Sequence, residues 1–239
     1  MLKTAIKNWL LVRTDPELRD IAKIFKETAE HKGPRDPFSL ECDKVFLDRL
    51  QFNPCALKMD FWEKHFELDS ITHFEEISGR ILDFGCGSGH LDVLLARRGM
   101  TVHGIDLSPI GIMIANRLRE REPHDVKKLV TFSVVDVISQ KPDGELFDSA
   151  WSAHVFEHIA DPAPVLAGLH NWVKPGGHLL ISVPLGTAYD DPGHVNHFFS
   201  AHELSQFLSP HIKIKRIEEN NEFNVIRALC VFGGNHEQP

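Results

Sequence analysis

Four cysteines, one tyrosine and no long apolar run are what this 239-residue sequence has little of. Cys42, Cys55, Cys86 and Cys230 are scattered and form no CxxC pair. That excludes a zinc ribbon and a disulfide framework and favours a reducing compartment, expected here to be the cytoplasm. No stretch approaches the roughly 18 uninterrupted apolar residues of a membrane-spanning helix, so no membrane span is expected. Positive charge is also short, with 26 Lys and Arg against 34 Asp and Glu for a formal net charge of −8. Nucleic acid is therefore not the expected partner, because neutralising phosphates needs a basic face, and no basic tract interleaved with aromatics is present. Apolar residues at 42% and charged residues at 25% match an ordinary globular protein and exclude disorder for the bulk of the chain. The residue in excess is histidine, of which there are fifteen.

Up to Ser78 the pattern is helical. The acid-free segment Met1 to Thr14, with Lys3, Lys7 and Arg13, reads as an amphipathic helix that packs its apolar side on the rest of the chain. Asp15-Pro16-Glu17 is a helix start, Asp at the cap and Pro in the first turn, and Leu18, Ile21, Ala22, Ile24 and Phe25 follow at helical spacing to Gly33-Pro34. Asp36-Pro37 and Asn53-Pro54 start two more helices, the last carrying Leu57, Phe61, Trp62, His65 and Phe66. From Gly79 short apolar strands alternate with helices. Strands are predicted over Arg80–Phe84, Thr101–Ile105, Leu129–Val135, Phe147–Ser152 and Gly177–Val183, and helices over Leu91–Arg98, Pro109–Glu120, Asp161–Val173 and Ala201–Leu208. Such alternation predicts an α/β fold built on a doubly wound parallel sheet. Ile212–Glu218 and Val225–Phe232 lie too close for a crossover helix and are predicted to pair antiparallel. The expected architecture is a mostly parallel, seven-stranded Rossmann-like sheet with a terminal antiparallel strand pair over residues 79–239, preceded by an N-terminal helical cap over residues 1–78.

The strongest local signal is Ile81-Leu82-Asp83-Phe84-Gly85-Cys86-Gly87-Ser88-Gly89-His90-Leu91. An apolar strand runs into three alternating glycines and then a helix, and in an open α/β sheet that crevice binds nucleotides. A dinucleotide fingerprint wants Gly at position 90, where this chain has His90. Asp106 stands about 20 residues beyond the loop, placed to accept both hydroxyls of a ribose. Asp136-Val137 ends the third strand, Phe147-Asp148 opens the fourth, and Lys174-Pro175-Gly176-Gly177 turns into the fifth.

In that order these segments resemble the class I S-adenosylmethionine-dependent methyltransferases, over about Gly79 to Phe232. The resemblance implies S-adenosylmethionine as cofactor. It implies that Gly85, Gly87 and Gly89 line its methionine and ribose and that Asp83 holds the loop and the amino group. Asp106 is implied to bind the ribose, Leu107 to pack on the adenine, Asp136 and Val137 to contact the adenine edge, and Ser152 to sit near the methionine moiety.

Two segments leave neighbouring strand ends and border the same crevice. One holds His154, Glu157 and His158 at i, i+3 and i+4; the other holds Tyr189, His194 and His197. Glu157-His158 with a later His197-Phe198 resembles two branches of the family: the small-molecule O-methyltransferases typified by ubiquinone biosynthesis, and the small-RNA 2′-O-methyltransferases, whose Glu-x-x-Glu-His turn binds a divalent metal. Here His154 takes the first Glu position, which argues against magnesium, and no metal is assigned. A general-base or hydrogen-bonding role and a purely structural one both stay open. The expected function is methyl transfer to a small-molecule acceptor, an oxygen nucleophile being favoured, with His158, Glu157, His197 and His154 as the candidate catalytic set. A catalytically degenerate binding module and a nicotinamide-dependent oxidoreductase are the alternatives.

Overall fold

The computed structural model of the chain describes residues 2–30, 37–189, 191 and 193–233. Helices α1 (Leu2–Thr14), α2 (Pro16–Glu30) and α3 (Pro37–Phe52) form the N-terminal part. The expected helix end at Gly33-Pro34 and the start at Asp36 lie outside the described residues. The single helix predicted from Asn53 is instead three pieces: a 3-10 turn over Pro54–Leu57, α4 (Met59–Trp62) and α5 (Phe66–His73). Lys58 and His65 adopt extended backbone between them, and the Trp62 indole donates to the Ala56 carbonyl at 2.9 Å, which fixes the bend.

The remainder alternates as the pattern requires: β1 (Arg80–Phe84), α6 (His90–Arg97), β2 (Thr101–Asp106), α7 (Pro109–Glu120), α8 (His124–Lys127), β3 (Val130–Val134), β4 (Phe147–Ala153), α9 (Pro162–Leu169), β5 (Val173–Pro184), α10 (Ala201–Leu208), β6 (Lys213–Asn220) and β7 (Val225–Val231). The helix predicted to reach Val173 ends at Leu169, and Val173 already belongs to β5, which turns at Gly176 with φ +81°. The seven strands run in the order β3-β2-β1-β4-β5-β7-β6, with β7 antiparallel to both β5 and β6. Burial explains that insertion. Residues 225–230 of β7 are all buried, as an interior strand demands, whereas β6 carries Lys213, Arg216, Glu218 and Glu219, the charge expected of a protected edge.

The N-terminal helices share the core of the sheet domain. Leu18, Ile21 and Ile24 of α2 and Phe46 of α3 are buried in one apolar cluster with Val93 and Ala96 of α6 and Ile110, Ile114 and Ala115 of α7. On the other face of the sheet, Phe156, Leu166, Leu169 and Trp172 pack with Leu204 and Leu208. The carboxyl ends of β1, β2, β4 and β5 therefore open toward segments supplied by residues 43–67.

Candidate functional site at the strand ends

Gly85, Gly87 and Gly89 all hold left-handed backbone, at φ +83°, +57° and +68°. A side chain at Gly89 would meet Ala115 Cβ at 2.6 Å, and one at Gly85 would meet Val155 Cγ2 at 2.3 Å. The loop is thus glycine-rich for conformation and for packing at once. Gly89 caps α6, and His90, its first residue, is buried. The ring of His90 lies between Ser88 Oγ (2.9 Å) and the Leu57 carbonyl (3.1 Å), and burial drives its pKa down to about 3. The imidazole at this helix start is thus neutral and enclosed. Trp62 stacks on the same ring at 5.7 Å, so it packs behind the loop.

Asp106 joins this loop to the next. Its two oxygens accept from the Gly87 N–H (2.9 Å) and the Ser108 N–H (2.8 Å), and burial raises its pKa. The Leu107 N–H is a third donor, so of the roughly four acceptor positions of a carboxylate one remains for a ribose hydroxyl. Leu107 is half-buried beside it. Asp136 accepts from the Ile138 N–H and from Ser139 Oγ, so its carboxylate closes its own turn, while the Val137 side chain is buried in the core and offers the crevice only backbone. Ser152 is buried and donates its hydroxyl to the Phe84 carbonyl at 2.9 Å, tying β4 to the end of β1. Asp83 is buried with Oδ1 unpartnered. The Cys86 thiol is pushed well above its ordinary range by burial and by Asp92, Asp106 and Asp83, which removes it as a nucleophile.

Two residues without a sequence signal reach this crevice from α3. Asp43 is buried and accepts from Ser108 Oγ and from the Ile110 N–H (3.1 Å), capping α7 from outside. Arg49 sets its guanidinium 5.6 Å from the Phe46 ring centroid and faces Asp106 and Asp191. Asp43→Ala leaves the α7 donors unpaired in a buried place. It is expected to cost about 1–3 kcal/mol in urea unfolding, and an unchanged midpoint would refute the cap.

The second half of the site is a buried chain of carboxylates and imidazoles. Glu157 sits in a 3-10 turn over Phe156–His158, and its two carboxylate oxygens are buried without a hydrogen bond. His154 precedes it in left-handed backbone, φ +57°, with Nδ1 3.6 Å from Glu157 Oε1 and Nε2 3.5 Å from Glu67 Oε1. Glu67 lies in the first turn of α5 and also accepts from Ser182 Oγ. An acid in a helix first turn looks ordinary in sequence, which is why Glu67 is not legible there. Burial opposes a charge on His154, but Glu157 and Glu67 outweigh it and lift the pKa to about 9. Because that value is raised, its stabilisation is complete below the unfolded value near 6.5 and is lost as pH rises through about 9. The unfolding free energy from urea titration should fall between neutral and alkaline pH by an amount on the order of 2–3 kcal/mol, and His154→Gln should flatten that fall. An equal fall in both proteins would refute the clamp.

The loop after β5 is fastened to this turn. The N–H groups of Val195 and Asn196 both donate to the Glu157 carbonyl at 2.9 Å, and Asn196 Nδ2 donates to the Ile159 carbonyl at 2.7 Å. His194 Nε2 lies 3.9 Å from Glu157 Oε1, and burial lowers its pKa. The exposed His158 places Nδ1 3.0 Å from the Gly193 carbonyl. Since a carbonyl only accepts, Nδ1 carries the proton and Nε2 of the neutral ring is left as a base. His197 is exposed, its ring 5.9 Å from that of His194. Carboxylate and imidazole atoms of Glu157, His158 and His194 all lie within 4.8 Å of one another. Phe66, stacked on Phe223 at 4.9 Å, and Tyr189, edge-on to His154 at 5.6 Å, wall this end. The structure thus brings His154, Glu157, His158 and His194 together, with His197 at the margin.

Comparison with known proteins agrees with this geometry. Residues 54–228 match the family model described as a methyltransferase domain. A ubiquinone biosynthesis O-methyltransferase of Dechloromonas aromatica (strain RCB) is 38% identical over 118 residues, covering 48% of this chain and 49% of that protein. The chain spans about half the length of the curated relatives it matches. Among solved structures, the glycopeptide N-methyltransferase MtfA complexed with S-adenosyl-L-methionine superposes with a TM-score of 0.59 at 16% identity, covering 70% of this chain and 92% of that one. The [4+2]-cyclase SpnF gives the same TM-score at 19% identity, covering 70% and 81%. These structural likenesses establish the fold, which evidently hosts more than one chemistry. The match to the family model, over most of the chain and with the glycine loop and Asp106 inside it, decides the family: this chain belongs to the methyltransferase-domain family.

Proposed function

We propose that the protein is an S-adenosylmethionine-dependent methyltransferase acting on an oxygen of a small-molecule acceptor. The observation that carries the acceptor side is the buried Glu157 carboxylate, which accepts no hydrogen bond but faces His154, His158 and His194 at the ends of β4 and β5. The O-methyltransferase activity of the ubiquinone biosynthesis relatives supports oxygen as the accepting atom.

The residues present fit the cofactor. Asp106 retains acceptor capacity for a ribose, the left-handed glycines leave the loop without side chains, and Asp83 has a buried oxygen without a hydrogen bond that would suit a cationic amino group. Bound S-adenosylmethionine supplies a methyl group on a sulfonium, so the protein's work is binding, alignment and deprotonation. His158, with Nδ1 held by Gly193, takes the acceptor proton on Nε2. Glu157 orients His194 and the charged His154, and through the Val195 and Asn196 N–H groups its turn holds the β5 loop in place. Residues 1–78 act as the cover of the acceptor pocket, through Phe66 and Glu67.

Transfer of labelled methyl from S-adenosylmethionine to a panel of hydroxylated aromatic acceptors tests the reading. Turnover that falls with His158→Ala supports it; binding of the cofactor with no turnover on any oxygen, nitrogen or sulfur acceptor would make the chain a binding module. A divalent cation on Glu157, His158 and His194 is a second reading, favoured by their 4.8 Å grouping. Activity lost to a chelator and restored by zinc or manganese decides for it.

A further inference from the structure

A pair of carboxylates lies beneath the glycine loop. Asp83 is near the end of β1 and Asp92 in the first turn of α6, so the loop joins the two elements that carry them. Both are buried, Asp92 completely, and three of their four oxygens (Asp83 Oδ1 and both of Asp92) have no hydrogen-bond donor. The groups that face them are acids as well: Asp106 from β2 and the Cys86 thiol from the loop itself. Arg49 of α3, a cation on this side, acts on Asp106. Desolvation raises both carboxyls, helped by Asp92 and Asp106 at Asp83 and by Asp106 at Asp92, while the hydrogen bond between the two lets them hold one proton in common. The His90 and His65 rings, lowered by burial to about 3 and about 4, stay neutral and supply no compensating charge.

We propose that Asp92 is a positioning residue for the cofactor's amino group: the pair shares one proton, and Asp92 takes it when a cationic amine approaches, leaving Asp83 as the charged member at the loop. This rests on the reading of the glycine loop as the S-adenosylmethionine site. The proton passes from Asp83 to Asp92 along their shared contact, and no other group is consumed. As pH rises, Asp92 loses that proton too and the attraction for the amine deepens.

The test uses two ligands that share the nucleoside: S-adenosylhomocysteine, with the amino-acid tail, and 5′-methylthioadenosine, without it. Calorimetry of the full-length protein from about pH 5.5 to about 7.5, where the amino group stays charged, should show Kd for S-adenosylhomocysteine tightening roughly three- to tenfold. Kd for methylthioadenosine should stay flat, which also cancels any contribution of Asp106 on the ribose. Asp92→Asn, which keeps the shape and stays neutral, should abolish the slope while holding affinity near pH 6 within about threefold. If that variant does not fold, proton release from the unaltered protein, measured in two buffers of different ionisation enthalpy, decides the matter. Release with S-adenosylhomocysteine alone supports the role. Equal profiles for both ligands, or a wild-type slope in Asp92→Asn, would overturn it while leaving the cofactor site intact. Binding of neither ligand sinks the cofactor reading and the proposal with it.

Discussion

Glu157→Gln should lower kcat for methyl transfer on the order of 10²–10³-fold while Kd for S-adenosylhomocysteine moves by less than about threefold. The carboxylate is buried, accepts no hydrogen bond and lies 3.6 Å from His154 Nδ1 and 3.9 Å from His194 Nε2. Gln keeps the shape but halves the acceptor capacity and removes the charge, so the histidines lose their common counter-ion. Nothing in the glycine loop touches this side chain, so the nucleoside end has no reason to change. The outcome is read from the split between kcat and Kd. A rise in Kd with kcat preserved would mean that Glu157 supports the fold around the cofactor and not the acceptor chemistry.

Gly85→Ala should do the reverse and weaken cofactor binding about 30- to 1,000-fold, corresponding to about 2–4 kcal/mol from left-handed backbone strain and steric overlap. Position 85 has φ +83°, and its new Cβ would lie 2.3 Å from Val155 Cγ2. Val155 immediately precedes the Phe156–His158 turn, so the clash also pushes on Glu157 and methyl transfer falls with affinity. Adding Val155→Ala removes the obstructing methyl and should restore part of the affinity, leaving the backbone strain. No recovery in the double variant would show that strain alone carries the loss. Together the two variants separate the halves of the site, which meet at the contact between Gly85 and Val155.

The glycine-loop half of the site was legible because its requirements are local. A strand, three residues forced to positive φ and a helix leave a compact signature. In three dimensions Asp136 spends its carboxylate on its own turn and Ser152 its hydroxyl on the end of β1, contacts the sequence does not announce. The acceptor half was legible only as a concentration of histidines. His154 has the spacing of a base, yet it is clamped as a cation between two glutamates, one of them Glu67, which precedes it by 87 residues (154 − 67) on a short helix bent away from its predicted course.

Histidine in excess over a nearly tyrosine-free composition was the sequence's odd feature, and the chain alone divides it only by position. Composition, strand-helix alternation and the Gly85–Gly89 loop by themselves determined an α/β sheet, its crevice and the class of ligand, because each depends on neighbours within a few residues. Tertiary structure alone decided that β7 lies inside the sheet, that Asp43 caps α7, that His90 is neutral and His154 charged, and that Asp83 and Asp92 meet. The physical reason is common to all of these: burial and charge pairing are set by groups far apart in sequence, and a titratable side chain takes its protonation from whatever the fold brings beside it.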